Sequence, residues 1–104
     1  MAARIPIDRE RIAEFYRRWN VTEFSLFGSV LREDFGPDSD VDVLVSFREE
    51  SHWGLFDICR MEDELQDIFG RKVDLVTRRA VESGKNYIRR KNILEHMETV
   101  LAER

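Results

Sequence analysis

The segment Asp40–Phe47, DVDVLVSF, constrains the fold of this chain more than any other stretch. Its residues alternate with a period of two. That places Val41, Val43, Val45 and Phe47 on one face of a strand and Asp40, Asp42 and Leu44 on the other. Aspartate is disfavoured in strands, and a carboxylate at a half-buried position is costly unless something compensates it. Two negative charges at the mouth of a buried strand therefore call for a partner that repays their burial.

The rest of the chain supplies the surroundings of that strand. Residues 8–19 carry Ile12, Phe15, Tyr16 and Trp19 at helical spacing, with Asp8 as N-cap. Val21–Phe27 is rich in β-branched and aromatic residues and is predicted as a strand. Gly28 is followed by a short helix capped by Ser29, and FGPDS, residues 35–39, supplies turn chemistry. A helix is predicted over residues 54–69, with Leu55, Ile58, Met61, Leu65 and Ile68 on one side and Gly70 as its stop. KVDLVT, residues 72–77, is the third strand. From Ala80 to the end the chain is expected to be helical, with Ile93, Leu94, Met97, Val100 and Leu101 as its apolar stripe and Ser83-Gly84 as a candidate interruption. The order α-β-α-β-α-β-α predicts an α/β (α+β) fold, a small three-stranded mixed sheet flanked by helices. Whether the first two strands run parallel or antiparallel stays open at this point.

Composition narrows the function classes. With 104 residues the chain is expected to form one domain, residues 1–104. The single cysteine, Cys59, excludes a disulfide framework and reads as a small apolar helix residue. No apolar run is long enough to span a membrane, and the start MAARIPIDRER lacks the apolar core of a secretory signal. A cytoplasmic location is expected. The net charge of −4 gains little from a phosphate backbone, so no direct nucleic-acid binding is expected.

The chemistry concentrates in six residues. Asp40 and Asp42 emerge on one face, about 7 Å apart along the strand. At that separation two carboxylates can share a hard divalent cation such as Mg²⁺. If the third strand lies beside the second, Asp74 joins them, and three carboxylates can hold two metals that clamp the attacking and leaving oxygens of a phosphoryl-type displacement. Gly28 ends a strand where a helix begins and lets a phosphate approach the backbone closely. The Ser29 hydroxyl can add a hydrogen bond, and Arg32, one helical turn on, can reach a phosphate as well. Each piece is common alone, as a capping device or a surface pair. Together, as G-S-x10-D-x-D with V-D-L-V in a later strand, they describe a metal-dependent triphosphate site. Neither G-x-x-x-x-G-K-[ST] nor G-x-G-x-x-G occurs, which excludes the P-loop and dinucleotide-binding readings.

FGS…SDVDVLV, LFDICRMEDELQDIFGRKVDLVT and YIRRKNIL carry a resemblance that covers essentially the whole chain. It resembles the minimal nucleotidyltransferases of the DNA polymerase β superfamily, in particular the MNT proteins encoded beside HEPN-domain partners in prokaryotic toxin–antitoxin modules. The resemblance implies that Gly28 and Ser29 bind nucleotide phosphates, that Asp40 and Asp42 bind Mg²⁺, and that Asp74 assists deprotonation of the acceptor hydroxyl. It also implies ATP as donor and a complex with a cognate HEPN ribonuclease toxin, adenylylated on a tyrosine. One departure stands out: the family often reads G-S-x-A-R-G, whereas this chain reads GSVLRE, keeping Arg32 but placing Glu33 at the glycine.

The short chain leaves little after the third strand to enclose an acceptor, so another macromolecule is expected to bear it. Two rivals remain: an antitoxin that masks its partner without catalysis, and a free-standing transferase acting on a small hydroxylated molecule. Trp53 is balanced between burial and an interface role. Arg78-Arg79 and Arg89-Arg90-Lys91 are read as solvated helical faces, with contact to a nucleotide or an acidic partner as the alternative. His52 and His96 have no companions at metal spacing.

Overall fold

The computed structural model describes Ile5 and residues 7–31, 35–36, 38–84 and 87–102. The first helix, α1, spans Arg9–Arg18, and the Asp8 side chain accepts from the Arg11 N–H at 3.2 Å. Glu10 in its first turn and Arg17 and Arg18 in its last complement the helix dipole. Ile12 and Phe15 point into the core. Asn20 takes the left-handed conformation, φ 56°, and turns the chain into the first strand, β1, Val21–Phe27.

The second strand, β2, spans Val41–Phe47; a helix, α2, Leu55–Phe69, leads to β3, Val73–Thr77. β1 and β2 are antiparallel, while β2 and β3 are parallel. That difference follows from the connections: a parallel pair needs a long crossover, which α2 provides. α2 begins at Gly54, whose N–H donates to Asp57 Oδ2 at 2.9 Å, and stops at Gly70, φ 69°. Its side chains also close the outer edge of β3. Glu62 Oε2 accepts from the Leu75 N–H at 3.1 Å and Gln66 Oε1 from the Val73 N–H at 3.4 Å, so an exposed edge is not left to recruit another strand.

The tail departs from the expectation of helix from Ala80 to the end. Helix α3, Arg78–Ser83, ends at Gly84; α4 spans Tyr87–Glu95; then Glu98–Ala102 forms β4, antiparallel to β1. The sheet is therefore four-stranded, in the order β3-β2-β1-β4, rather than three-stranded. The stripe Met97, Val100, Leu101 looked helical for a specific reason. Leu101 pairs with Phe24 and Thr99 with Ser25, leaving Val100 as the extra residue of a bulge. A bulge breaks the period of two. Here Val100 and Leu101 both pack on one core, while Ile93, Leu94 and Met97 join another.

Those two cores lie on opposite faces of the sheet. Phe15, Phe24, Leu26, Val43, Met61 and Leu65 belong to the larger one, beneath α1 and α2. Phe27, Leu44 and Ile93 form the smaller, extended by Val76, Val81, Leu94 and Met97. β2 is covered on both sides, which is why it reads as a nearly continuous apolar run. Trp53 packs edge-on against Trp19 at 5.1 Å and donates from Nε1 to the Trp19 carbonyl at 2.9 Å. Cys59 is exposed on α2 rather than packed. Among the described residues no helix is long and apolar enough to cross a membrane.

Candidate active site

Strand pairing gathers the carboxylates. Asp42 stands opposite Asp74 in the parallel β2–β3 register, and opposite Phe27 in the antiparallel β1–β2 register. Register partners on neighbouring strands have Cα atoms about 4.8 Å apart and point to the same face. Asp42 and Asp74 thus emerge together, on the face of the smaller core, at the end of the sheet where both strands begin. Asp40 precedes β2 by one residue and shares the parity of Asp42. Asp40 and Asp74 are exposed and Asp42 is half-buried, so the burial cost falls mainly on Asp42.

Gly28 lies directly against Asp42. β1 ends at Phe27 and the chain turns through a short 3-10 segment, Gly28–Leu31, anchored by the fully buried Val30. Gly28 has φ 75°, a region that only glycine enters freely. A β-carbon there would collide with the Asp42 carboxylate oxygen Oδ2 and stand 3.2 Å from its Cγ. The sequence reading assigns Gly28 to close approach of a phosphate. The structure adds a second reason: the missing side chain makes room for Asp42 itself. One residue on, the Ser29 hydroxyl donates a long 3.4 Å hydrogen bond to the Asp40 carbonyl, joining the turn to the start of β2.

Arg71, which no sequence pattern singles out, holds the loop before β2. Its Nη1 donates to the carbonyls of Gly36 at 3.0 Å and Ser39 at 3.3 Å, and its guanidinium lies 4.5 Å from the centre of the Phe35 ring. The Val41 N–H donates to the Lys72 carbonyl at 2.9 Å. The loop that delivers Asp40 is thereby tied to the strand that delivers Asp74. No local pattern marks Arg71, because its partners lie more than thirty residues away.

Among the described residues no three His, Cys, Asp or Glu side chains converge closely enough to hold a metal ion as they stand. Asp42 and Asp74 share a face and an end of the sheet, Asp40 lies two residues before Asp42, and their all-oxygen donor set is the chemistry Mg²⁺ takes. Arg32 and Glu33 lie outside the described residues. Asp42 and the Gly28 turn lie side by side at this end of the sheet.

Residues 9–99 match the family model described as a nucleotidyltransferase domain. The chain is 38% identical over 71 residues to the protein adenylyltransferase MntA of Thermococcus cleftensis, an alignment spanning 68% of this chain and 70% of the relative. It is also similar to a chain from a crystal structure of a toxin–antitoxin with AMP-PNP, with TM-score 0.71 and 16% identity over 94% of this chain and 76% of the other. A third likeness is to a chain of the tri-AMPylated Shewanella oneidensis HEPN toxin in complex with MNT antitoxin, with TM-score 0.62 and 17% identity over 90% and 69% of the two chains. At such identities the two solved structures speak for the fold.

Proposed function

The chain belongs to the nucleotidyltransferase domain family, and from that premise we propose that it is an antitoxin that transfers AMP from ATP to a tyrosine of a HEPN ribonuclease toxin, silencing it. The relative from Thermococcus cleftensis is a protein adenylyltransferase by name. The solved likenesses include a toxin–antitoxin with AMP-PNP and a tri-AMPylated HEPN toxin with its antitoxin. The observation that carries the reading is the pairing of Asp42 with Asp74 in register, against a glycine that leaves room for the Asp42 carboxylate.

In this reading residues 1–104 act as one catalytic domain. The backbone N–H groups of Gly28 and Ser29 receive phosphate oxygens, with the Ser29 hydroxyl and Arg32 completing the grip. Asp40, Asp42 and Asp74 would hold two Mg²⁺ ions, which when bound neutralise phosphate charge and stabilise the attacking and leaving oxygens. Asp74, exposed at the rim, accepts the proton of the incoming tyrosine hydroxyl. The tyrosine oxygen then forms a bond to the α-phosphorus. The bond from that phosphorus to the bridging oxygen breaks, and pyrophosphate leaves.

Intact-mass analysis of the HEPN partner after co-expression tests the proposal. Mass gained in steps of one AMP is expected with the wild-type chain, and none with Asp42→Asn, whose fold and thermal midpoint stay near wild type. An inhibited but unmodified partner would point to masking, and labelling by Asp42→Asn at the wild-type rate would refute the mechanism.

A further inference from the structure

A cleft of about 720 Å³ opens at the other end of the sheet, where β2 and β3 finish and α2 and α3 begin. Its lining begins at Val45 and Thr77, three residues beyond Asp42 and Asp74 and about 10 Å along the strands from the carboxylates. Phe47, Trp53 and Ile58 give it an apolar wall, and Arg78, Arg79 and Ser51 are among its polar lining. Its volume is that of a ligand site rather than a packing gap.

Most of the polar lining is already engaged. Arg78 donates to Glu23 at 2.6 Å and to Glu82 at 3.3 Å; the bond to Glu23, opposed by burial, holds its pKa above the ordinary arginine value. The Ser46 hydroxyl donates to Glu23, and Thr77 Oγ1 caps α3. Three groups are not engaged among the described residues: the exposed Glu49 carboxylate and two others. The Ser51 hydroxyl is buried without a hydrogen-bond partner among the described residues, a state that costs free energy until an acceptor or donor arrives. The exposed Arg79 guanidinium makes no hydrogen bond or ion pair among the described residues.

Beside the cleft, between Trp53 and Ile58 in the chain, Leu55 and Phe56 are 77% and 85% exposed. They are the exposed large hydrophobic residues among those described. Leu55 lies one turn before Ile58 on the same side of α2. An apolar pair at the rim of a cleft that offers an unpaired cation and an unsatisfied hydroxyl is the anatomy of a protein contact: aromatic and aliphatic anchors beside a charge that expects its complement.

We propose that this cleft and the Leu55–Phe56 rim form a docking exosite for the acceptor protein, which inserts a segment carrying an apolar anchor next to a carboxylate. The carboxylate pairs with Arg79 and the apolar anchor covers Phe56, Leu55 and the Trp53 wall. The inference rests on the protein-transferase reading above and names how the acceptor is held while its tyrosine reaches the far end of the sheet. A second copy of the chain fits less well, since each copy carries a net charge of −4 and two like-charged chains repel.

Two variants test it against a HEPN-domain protein as the acceptor: the double change Leu55→Ser with Phe56→Ser, and Arg79→Glu. These side chains are exposed, so thermal midpoints should stay at the wild-type value. Calorimetric titration should show the Kd for the HEPN protein rising about tenfold or more in each variant. Steady-state transfer should show KM for the HEPN protein rising with it, while KM for ATP and kcat stay unchanged. The binding measurement decides the exosite and the transfer measurement decides the function. An unchanged Kd in both variants, or no binding by the wild-type chain, overturns the exosite. Binding weakened by the variants but no AMP transferred by wild type upholds the surface and overturns the transferase reading. A change in the sedimentation of the chain alone would reassign the surface to self-association.

Discussion

Replacing Gly28 by alanine separates two effects that the structure superposes at one atom. The first is backbone strain: φ is 75°, and an alanine forced into the left-handed region costs about 1–2 kcal/mol. The second is steric, because the new β-carbon collides with the Asp42 carboxylate. Gly70 provides the control. Its φ is 69°, yet a β-carbon there meets nothing within 4 Å. Gly70→Ala should therefore lose about 1–2 kcal/mol of stability and keep full transfer activity. Gly28→Ala should lose at least as much stability and, by driving Asp42 off its position, about 10²-fold in kcat/KM, the scale expected for a misplacement of about 1 Å at a reacting centre. The assays are urea unfolding for both variants and AMP transfer to the HEPN protein at saturating ATP. A double-mutant cycle with Asp42→Gly sharpens the test: in that background Gly28→Ala should cost only the strain seen at Gly70. Transfer by Gly28→Ala within a few-fold of wild type would refute the claim that the glycine serves the carboxylate.

Three other changes have expected outcomes. Glu62→Ala leaves the Leu75 N–H without its acceptor at the sheet edge, which should lower unfolding stability by about 1–3 kcal/mol and increase aggregation by light scattering, while Glu62→Gln stays near wild type. Arg71→Met removes two hydrogen bonds to the loop before β2; KM for ATP should rise about tenfold with a loss of roughly 1–3 kcal/mol in urea unfolding, and Arg71→Lys should recover part of both. Truncation before Glu98 removes β4 and uncovers the edge of β1, so the shortened chain should show self-association in sedimentation velocity and a lower thermal midpoint.

Much of this molecule is legible in one dimension. The alternating strand at Asp40–Phe47, the capped helix starting after Asp8 and the Gly70 stop are local patterns, decided among residues a few positions apart. The candidate site was singled out for the same reason: Asp40, Asp42, Gly28 and Ser29 stand out by residue types that a strand and a turn do not otherwise favour. Tertiary structure alone decided the rest. It set β1 antiparallel to β2 and β2 parallel to β3, and it brought Asp74 into register with Asp42 across 32 residues of chain. It turned the last apolar stripe from a helix into a bulged strand that covers β1. It also gave Arg71 a loop to hold and Gly28 a carboxylate to admit. Periodicity and capping report the free energy of a segment against its nearest neighbours in the chain. Strand register, edge pairing and the space beside a glycine depend on groups that meet only after the chain has closed long loops, and no local pattern records who those partners are.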